Sequence, residues 1–308
     1  MNIAAVRLFL EVLEAGSISK VAARRQTVQS HISRQISEFE SGFGGPLLRR
    51  TGRGVVPTEL GQRSAARLRL WVQETERLTE ELREESGTLL GEVRVGIIPS
   101  AAHPLMTHVF ARLQAEQPGI RLNVTEAQGT ELNAMLDSAT VDMAILFRFT
   151  RPGGNDEKLL GVAHTYLISG PGDELTADAT VMFSRLAERR LVLPRRPSHW
   201  RNALDEAARS LGFRLSPVIE VDSLTMQKEL VAHTPGLYSI LGPYSIADDV
   251  RSGRLQASKL VKPDLSRNVT LSFPKQGKLS PACRCVAGLI EELMASWGND
   301  LSRPIAHA

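Results

Sequence analysis

Cysteine is nearly absent: the chain of 308 residues holds two, Cys283 and Cys285. Two cysteines cannot staple a protein of this size, so a disulfide scaffold is excluded and a reducing compartment fits. Charge of one sign is scarce as well. Lys plus Arg number 37 and Asp plus Glu 34, a net charge of +3. That bias is too small to argue for nucleic acid, so the distribution of charge has to carry the argument. Long apolar runs are also lacking. The longest stretches without Asp, Glu, Lys or Arg are residues 95–111 and 230–247, and each carries two prolines and at least one histidine. Neither reads as a membrane span. Near the start, Arg7, Glu11 and Glu14 interrupt the apolar residues, so no secretory leader is expected.

Enzyme signatures are missing too. There is no G-x-S-x-G, no P-loop and no H-E-x-x-H. His103 and His108 stand five apart, which does not align two ligands on a helix face, so neither a metal nor a cofactor is expected. Cys283 and Cys285 flank Arg284 at a helix start and point to different faces. A buried, inert pair is favoured over a redox switch or nucleophile.

What is present is the makings of folded domains. Hydrophobic residues are 42% and charged residues 23%, and at roughly 100–200 residues per domain the length suggests two or three. The texture changes along the chain. From about residue 93 onward, short apolar runs alternate with amphipathic stretches. Strands are expected at 93–98, 120–127 and 143–147, with a loop at 99–101 and helices at 104–117 and 130–138. The pattern resumes with strands at 191–193, 218–221, 238–241 and 269–273 and helices at 199–211, 224–233 and 281–297. This is the signature of βαβ units, which calls for parallel sheets with helices on their faces, arranged as two small α/β halves.

The segment 61–87 lacks proline and has no glycine after Gly61 until its end. Leu68, Trp71, Thr75, Leu78 and Leu82 fall at intervals of 3, 4, 3 and 4, an a/d seam. About 25 residues at 1.5 Å each make a rod on the order of 37 Å. Its flanks are charged (Arg67, Arg69, Glu74, Glu76, Arg77). A narrow apolar stripe favours pairing with a second copy over service as a core helix of the next domain.

The first sixty residues are dense in short helical patterns. Ile3, Val6, Phe9, Leu10 and Leu13 form one face, Gly16 ends that helix, and Ser17 is placed to cap the next. After a break at 26–28, a helix over 29–41 has Ile32, Ile36 and Phe39 on one side. Its other side shows Gln29, Ser30, Ser33, Arg34 and Ser37. Gln can bond adenine edges, Arg can bond guanine, and Ser can bond phosphate or base. Residues 47–58 then read as a two-stranded ribbon whose tip bears Arg49, Arg50 and Arg53, suited to a phosphate backbone or a minor groove. Over residues 1–61 there are eight basic and five acidic side chains. This favours a helix-turn-helix with a wing over a protein-interaction module.

The order of these residues resembles the LysR-type transcriptional regulators. The resemblance runs through Leu8-Phe9-Leu10-Glu11-Val12, Glu14-Ala15-Gly16-Ser17-Ile18-Ser19-Lys20-Val21-Ala22 and Gln29-Ser30-His31-Ile32-Ser33-Arg34-Gln35-Ile36. It continues through residues 44–53 and Pro57-Thr58-Glu59-Leu60-Gly61. Residues 92–100, 118–122, 141–146 and 220–224 look like the family's effector domain. The chain departs from the family at Arg25, usually leucine, at Val28, usually serine, and at Ser30, often proline. Val28 has no oxygen with which to cap the recognition helix, and Thr27 stands one residue early for that role.

The resemblance implies an α/β protein overall. Residues 1–60 would form a winged helix-turn-helix, all-α with a β wing, and 61–90 a linker helix for dimerisation. Residues 91–308 would form a two-lobed effector domain of periplasmic-binding-protein type. Lobe I would take about 91–161 plus 268–308, and lobe II about 162–267. It implies a cytoplasmic, nucleoid-associated regulator of transcription with no membrane partner. Such a regulator binds double-stranded DNA, works as a dimer or dimer of dimers, acts with RNA polymerase and answers to a small molecule. DNA contact carries over onto Gln29, Ser30, Ser33, Arg34, Arg50 and Arg53.

In α/β sheets, ligands sit beyond the strand carboxyl ends near helix N-termini. Those positions are Ser100, Ala101, Thr130, Phe147, Arg148, Ser198, His199 and Ser223, with Arg195 and Arg196 nearby. An organic anion is the expected effector, although Ser100, Thr130, Ser198 and Ser223 would serve equally as plain helix caps. An enzyme or solute-binding protein on the same two-lobed fold, with a non-DNA module at its N-terminus, is the alternative.

Overall fold

The computed structural model describes residues 2–52, 54–84, 89–154, 156–275 and 278–297. The chain opens with three helices, α1 (Ile3–Ala15), α2 (Ile18–Arg24) and α3 (Gln29–Ser41). Each boundary has a local cause. The Asn2 side chain accepts the Ala4 amide at 2.9 Å. Gly16 ends α1 in the left-handed region at φ 60°, and Ser17 accepts the Lys20 amide to start α2. α3 begins after Val28 with no side-chain cap at all, so Thr27 does not take that role. The apolar face of each helix closes on one core of Val6, Phe9, Val21, Ile32 and Ile36.

A ribbon follows, β1 (Leu48–Thr51) against β2 (Gly54–Pro57), paired antiparallel. Glu40 of α3 accepts the amides of Leu47 and Leu48, each at 2.8 Å, and so fixes where the ribbon starts. The Val55 amide donates to the Gly16 carbonyl at 2.8 Å. A Cβ on residue 54 would stand 2.3 Å from that same carbonyl oxygen, so glycine is required there.

Helix α4 (Glu59–Glu84) runs for 26 residues, started by the Thr58 hydroxyl, which accepts the Gly61 amide at 3.0 Å. Its apolar stripe is divided between two uses. Leu68 is 5% exposed and lies in the core of the three-helix module with Ala65 and Val72, and Trp71 packs against that core. Leu68 is therefore corrected from a seam residue to a core residue, because α4 must first bury its own contact with α1. Thr75 turns its hydroxyl back to the Trp71 carbonyl. Leu78 and Leu82, in contrast, are 54% and 63% exposed.

The remainder forms two sheets. The first uses β3 (Gly91–Ile97), β4 (Ile120–Glu126), β5 (Met143–Arg148) and β6 (Glu157–Ala163), and borrows a late strand, β13 (Arg267–Ser272), in the order β4-β3-β5-β13-β6. Helices α5 (Pro99–Glu116), α6 (Gly129–Asp137) and α10 (Pro281–Trp297) pack on it. The second sheet uses β7 (Tyr166–Ser169), β8 (Thr180–Met182), β9 (Arg190–Leu193), β10 (Pro217–Glu220), β11 (Leu237–Leu241) and β12 (Gln256–Val261). Their order is β10-β9-β11-β7-β12-β8. Helices α7 (His199–Ser210), α8 (Leu224–His233) and α9 (Pro243–Arg251) accompany it. Side chains alternate across this sheet. Leu191 and Leu193 of β9 join the cluster holding Leu204 and Ala208 of α7, while Val192 joins Val231 and Ile246 of α8 and α9.

Two expectations need correction. The sheets are mixed, since β13 runs antiparallel to β5 and β6, and β7 runs antiparallel to β11 and β12. The chain crosses between the lobes twice, and each crossing delivers a strand against the prevailing direction. Residues 99–101 are also not a loop. Pro99 opens α5, with a break in helical geometry at His103, as proline in the first turn favours. The two crossings are tied together where the Thr165 hydroxyl donates to the Leu265 carbonyl at 2.8 Å.

Candidate nucleic-acid interface and effector cleft

On the outer face of α3, Gln29, Ser30 and Arg34 are exposed and Ser33 is half-buried, while Ile32 and Ile36 face inward. Gln29 is oriented from α2, whose Ser19 hydroxyl donates to its side-chain oxygen at 3.0 Å. Arg34 rests in an exposed ion pair with Glu38 at 2.8 Å, an interaction weak enough to exchange for a base or a phosphate. Arg50 of the ribbon reaches across and donates to the Ser33 hydroxyl, so helix and wing share one polar surface. Arg49 is exposed beside it. Arg53 lies outside the described residues. The start of α3 has no side-chain cap, which suits its first amides, Gln29 and Ser30, to a phosphate. Arg25, where leucine is usual, makes a 2.6 Å ion pair with Glu11 instead of a core contact.

Away from this surface, α4 docks on the first lobe. Gln73 donates to the Ala139 carbonyl at 3.2 Å and to Asp142 at 3.0 Å, and Asp142 is also gripped by Arg94 at 2.7 Å. Arg69 approaches the Ser138 carbonyl at 3.4 Å and Glu14 of α1 at 3.9 Å. Burial lowers the Arg69 pKa more than Glu14 raises it. A cavity of about 1100 Å³ opens beside this junction, lined by residues that include Arg7, Glu14, Arg77 and Lys278. No sequence pattern pointed to Gln73 or Asp142, because a junction between domains leaves no periodicity.

The cleft between the lobes brings some predicted residues together and separates others. Thr130, in the first turn of α6, meets His199, the first residue of α7, with oxygen and Nε2 3.2 Å apart. Ser198 caps α7 by accepting the Arg201 amide. Phe147 of β5 and Trp200 of α7 face each other across one guanidinium, that of Arg267, each ring centre 4.0 Å from its Cζ. The start of α7 is held by buried Arg201, which bonds Asp205 at 3.0 Å and the exposed Glu220 at 2.8 Å.

The other predicted effector residues have different occupations. Ala101 is buried in the core of lobe I, with Ser100 beside it in the first turn of α5. Arg148 is held within lobe I, where Glu157 accepts from it at 2.8 Å and Asn133 at 2.9 Å. Ser223 caps α8, and Arg195 is paired with Asp222 at 2.7 Å. Arg267 was missed, because a single arginine between Ser266 and Asn268 carries no pattern.

A helix-turn-helix with a ribbon wing, joined by a long helix to a two-lobed α/β domain, defines a class: DNA-binding transcriptional regulators with a sensory domain. Residues 3–62 match the bacterial regulatory helix-turn-helix protein of the lysR family, and residues 86–295 match the LysR substrate binding domain. The chain belongs to the LysR family of transcriptional regulators. It is similar to the nitrogen assimilation regulatory protein nac of Klebsiella aerogenes, with 26% identity over 96% of each chain. It is similar also to the transcriptional regulator BbuR of Bordetella bronchiseptica, with 26% identity over 87% of this chain and 82% of BbuR.

Among solved structures, a full-length OxyR variant from Pseudomonas aeruginosa shares the fold with a TM-score of 0.74 and 19% identity. It covers 100% of this chain and 98% of its own. Full-length CbnR complexed with its target DNA shares it at a TM-score of 0.54 and 19% identity, over 95% and 99%. This is a family of regulators and not of enzymes, and among the described residues no helix is long and apolar enough to cross a membrane.

Proposed function

We propose that this LysR-type regulator answers to a small organic anion bound between its two lobes and passes that state to DNA through α4. The division of labour is 1–60 for DNA, 61–90 for linkage and pairing, and 91–308 for the effector. Gln29, Ser30, Ser33, Arg34, Arg50 and Arg53 are the DNA-contacting set. Thr130, Phe147, Ser198 and His199 belong to the effector cleft. Leu78 and Leu82 are the part of the seam left to meet a second copy, and RNA polymerase is the protein partner at the promoter.

The observation that carries this reading is the Gln73–Asp142 contact. It joins the helix behind the recognition module directly to the first lobe. A change in the angle between lobes would then move α4 and with it the spacing of two recognition helices in a dimer. The test is a gel shift of the full chain on the upstream region of its own gene, with and without organic acids. Retardation of that fragment over a random duplex, with a complex altered by an acid, is the expected result. Equal retardation of both duplexes refutes sequence-specific regulation.

A further inference from the structure

Other arginines of the effector domain that are buried or half-buried meet acids. Arg201 reaches Asp205 and Glu220, and Arg94 reaches Asp142. Arg267 is 6% exposed and has no such partner. Its Nε is buried with no acceptor, and among the described residues no carboxylate pairs with it. Burial brings its pKa down to about 9. The nearest backbone makes matters worse. A Cβ on Gly242 would stand 3.2 Å from Nη2, and Gly242 precedes α9, a helix with no side-chain cap and Pro243 in its first turn. The positive end of a helix beside an unpaired cation is a combination of like sign. The two aromatic rings offset part of this, but a desolvated guanidinium with open donors still calls for an anion.

The geometry also restricts how that anion arrives. Phe147 and Trp200 each stack a ring 4.0 Å from the guanidinium carbon, so an anion would have to meet the guanidinium edge-on. A carboxylate is planar and accepts two parallel N–H bonds in the plane of the fork. We propose that Arg267 anchors a carboxylate group of the effector, bound edge-on between the ring of one lobe and the ring of the other. This rests on the effector reading above and gives it a chemical class and an anchor. Arg267 also begins β13, directly after the second crossing between the lobes. Neutralising it therefore acts at the hinge itself.

Acetate is a suitable probe, because it carries the group and little else. The full chain is melted in sodium acetate and in sodium chloride at equal ionic strength, as wild type and as Arg267→Met. Acetate should raise the wild-type Tm by about 2–4 °C over chloride and leave the variant unmoved. In chloride the variant should melt at or above the wild type, because an apolar chain of similar length replaces an unpaired buried charge. A variant that melts lower in chloride and keeps the acetate increment would make Arg267 a structural clamp between two rings and overturn the proposal.

A second measurement needs no Arg267 variant. Acetate should change the tryptophan emission of the wild type, and Trp200→Phe should abolish that change. An unchanged wild-type signal overturns the proposal. If organic acids alter the complex on the gene's upstream DNA while leaving both readouts still, the anchor fails and the effector reading stands. If both readouts respond but no carboxylate alters DNA binding, the anchor stands and the effector reading fails.

Discussion

Arg34 offers the sharpest test of how DNA is read. Its guanidinium now holds Glu38 at 2.8 Å, with 80% of the arginine side chain and 62% of the glutamate side chain exposed. Breaking such a pair costs at most about 1 kcal/mol. A bidentate contact to a guanine edge discriminates by roughly 1–3 kcal/mol, leaving up to about 2 kcal/mol per half-site. Two half-sites bound by a symmetric dimer make that up to about 4 kcal/mol, or as much as roughly 1000-fold in affinity. Fluorescence anisotropy of Arg34→Ala on the gene's upstream fragment and on a random duplex, across a salt series, reads this directly. Specific affinity should fall by that factor while the random duplex loses far less. Glu38→Gln, which frees the guanidinium, should strengthen binding to both. Equal losses for Arg34→Ala on the two duplexes, with the salt slope reduced by about one per side chain, would make Arg34 a phosphate contact and refute base reading.

The divided stripe of α4 predicts two separate phenotypes. Leu68→Ala should destabilise the DNA-binding module by about 2–5 kcal/mol in urea unfolding. Leu78→Ala with Leu82→Ala should change folding stability by no more than about 0.5 kcal/mol per site yet weaken self-association in sedimentation; an unchanged oligomer would remove these leucines from the seam. In lobe II, burial pushes the Asp249 carboxyl up, but its bonds to Lys228 and Arg254 outweigh this and hold it below the ordinary value. A depressed carboxyl contributes stability above its unfolded pKa and loses it as pH falls through the folded value, so the loss should begin below about pH 4. Asp249→Asn should cost about 1–3 kcal/mol at pH 7 and flatten the acid limb of urea midpoints; an unaltered limb would contradict the assignment.

Local physics made the amino-terminal module readable. Gly16, Ser17 and one-sided apolar spacing mark helices α1 to α3 without help from distant residues. The helices α8 and α10 are legible for the same reason, each bounded by its own serine or proline. Where a strand lies in a sheet is a different kind of fact. β13 pairs with β5 from more than a hundred residues away, and nothing in its own six residues sets its direction. Leu68 was misjudged because a heptad repeat shows which face is apolar and not what covers it. The cleft was half visible: helix starts placed Thr130 and His199, whereas Arg267 gains its meaning only when Phe147 and Trp200 close on it.

Glu40 on the Leu47 and Leu48 amides, together with the bond from the Val55 amide to the Gly16 carbonyl, holds wing and recognition helix together as a caliper. A caliper of fixed opening cannot adjust to an awkward groove, so the deformation falls on the duplex. Operators for this protein should therefore be enriched in easily kinked pyrimidine–purine steps at positions that no side chain touches.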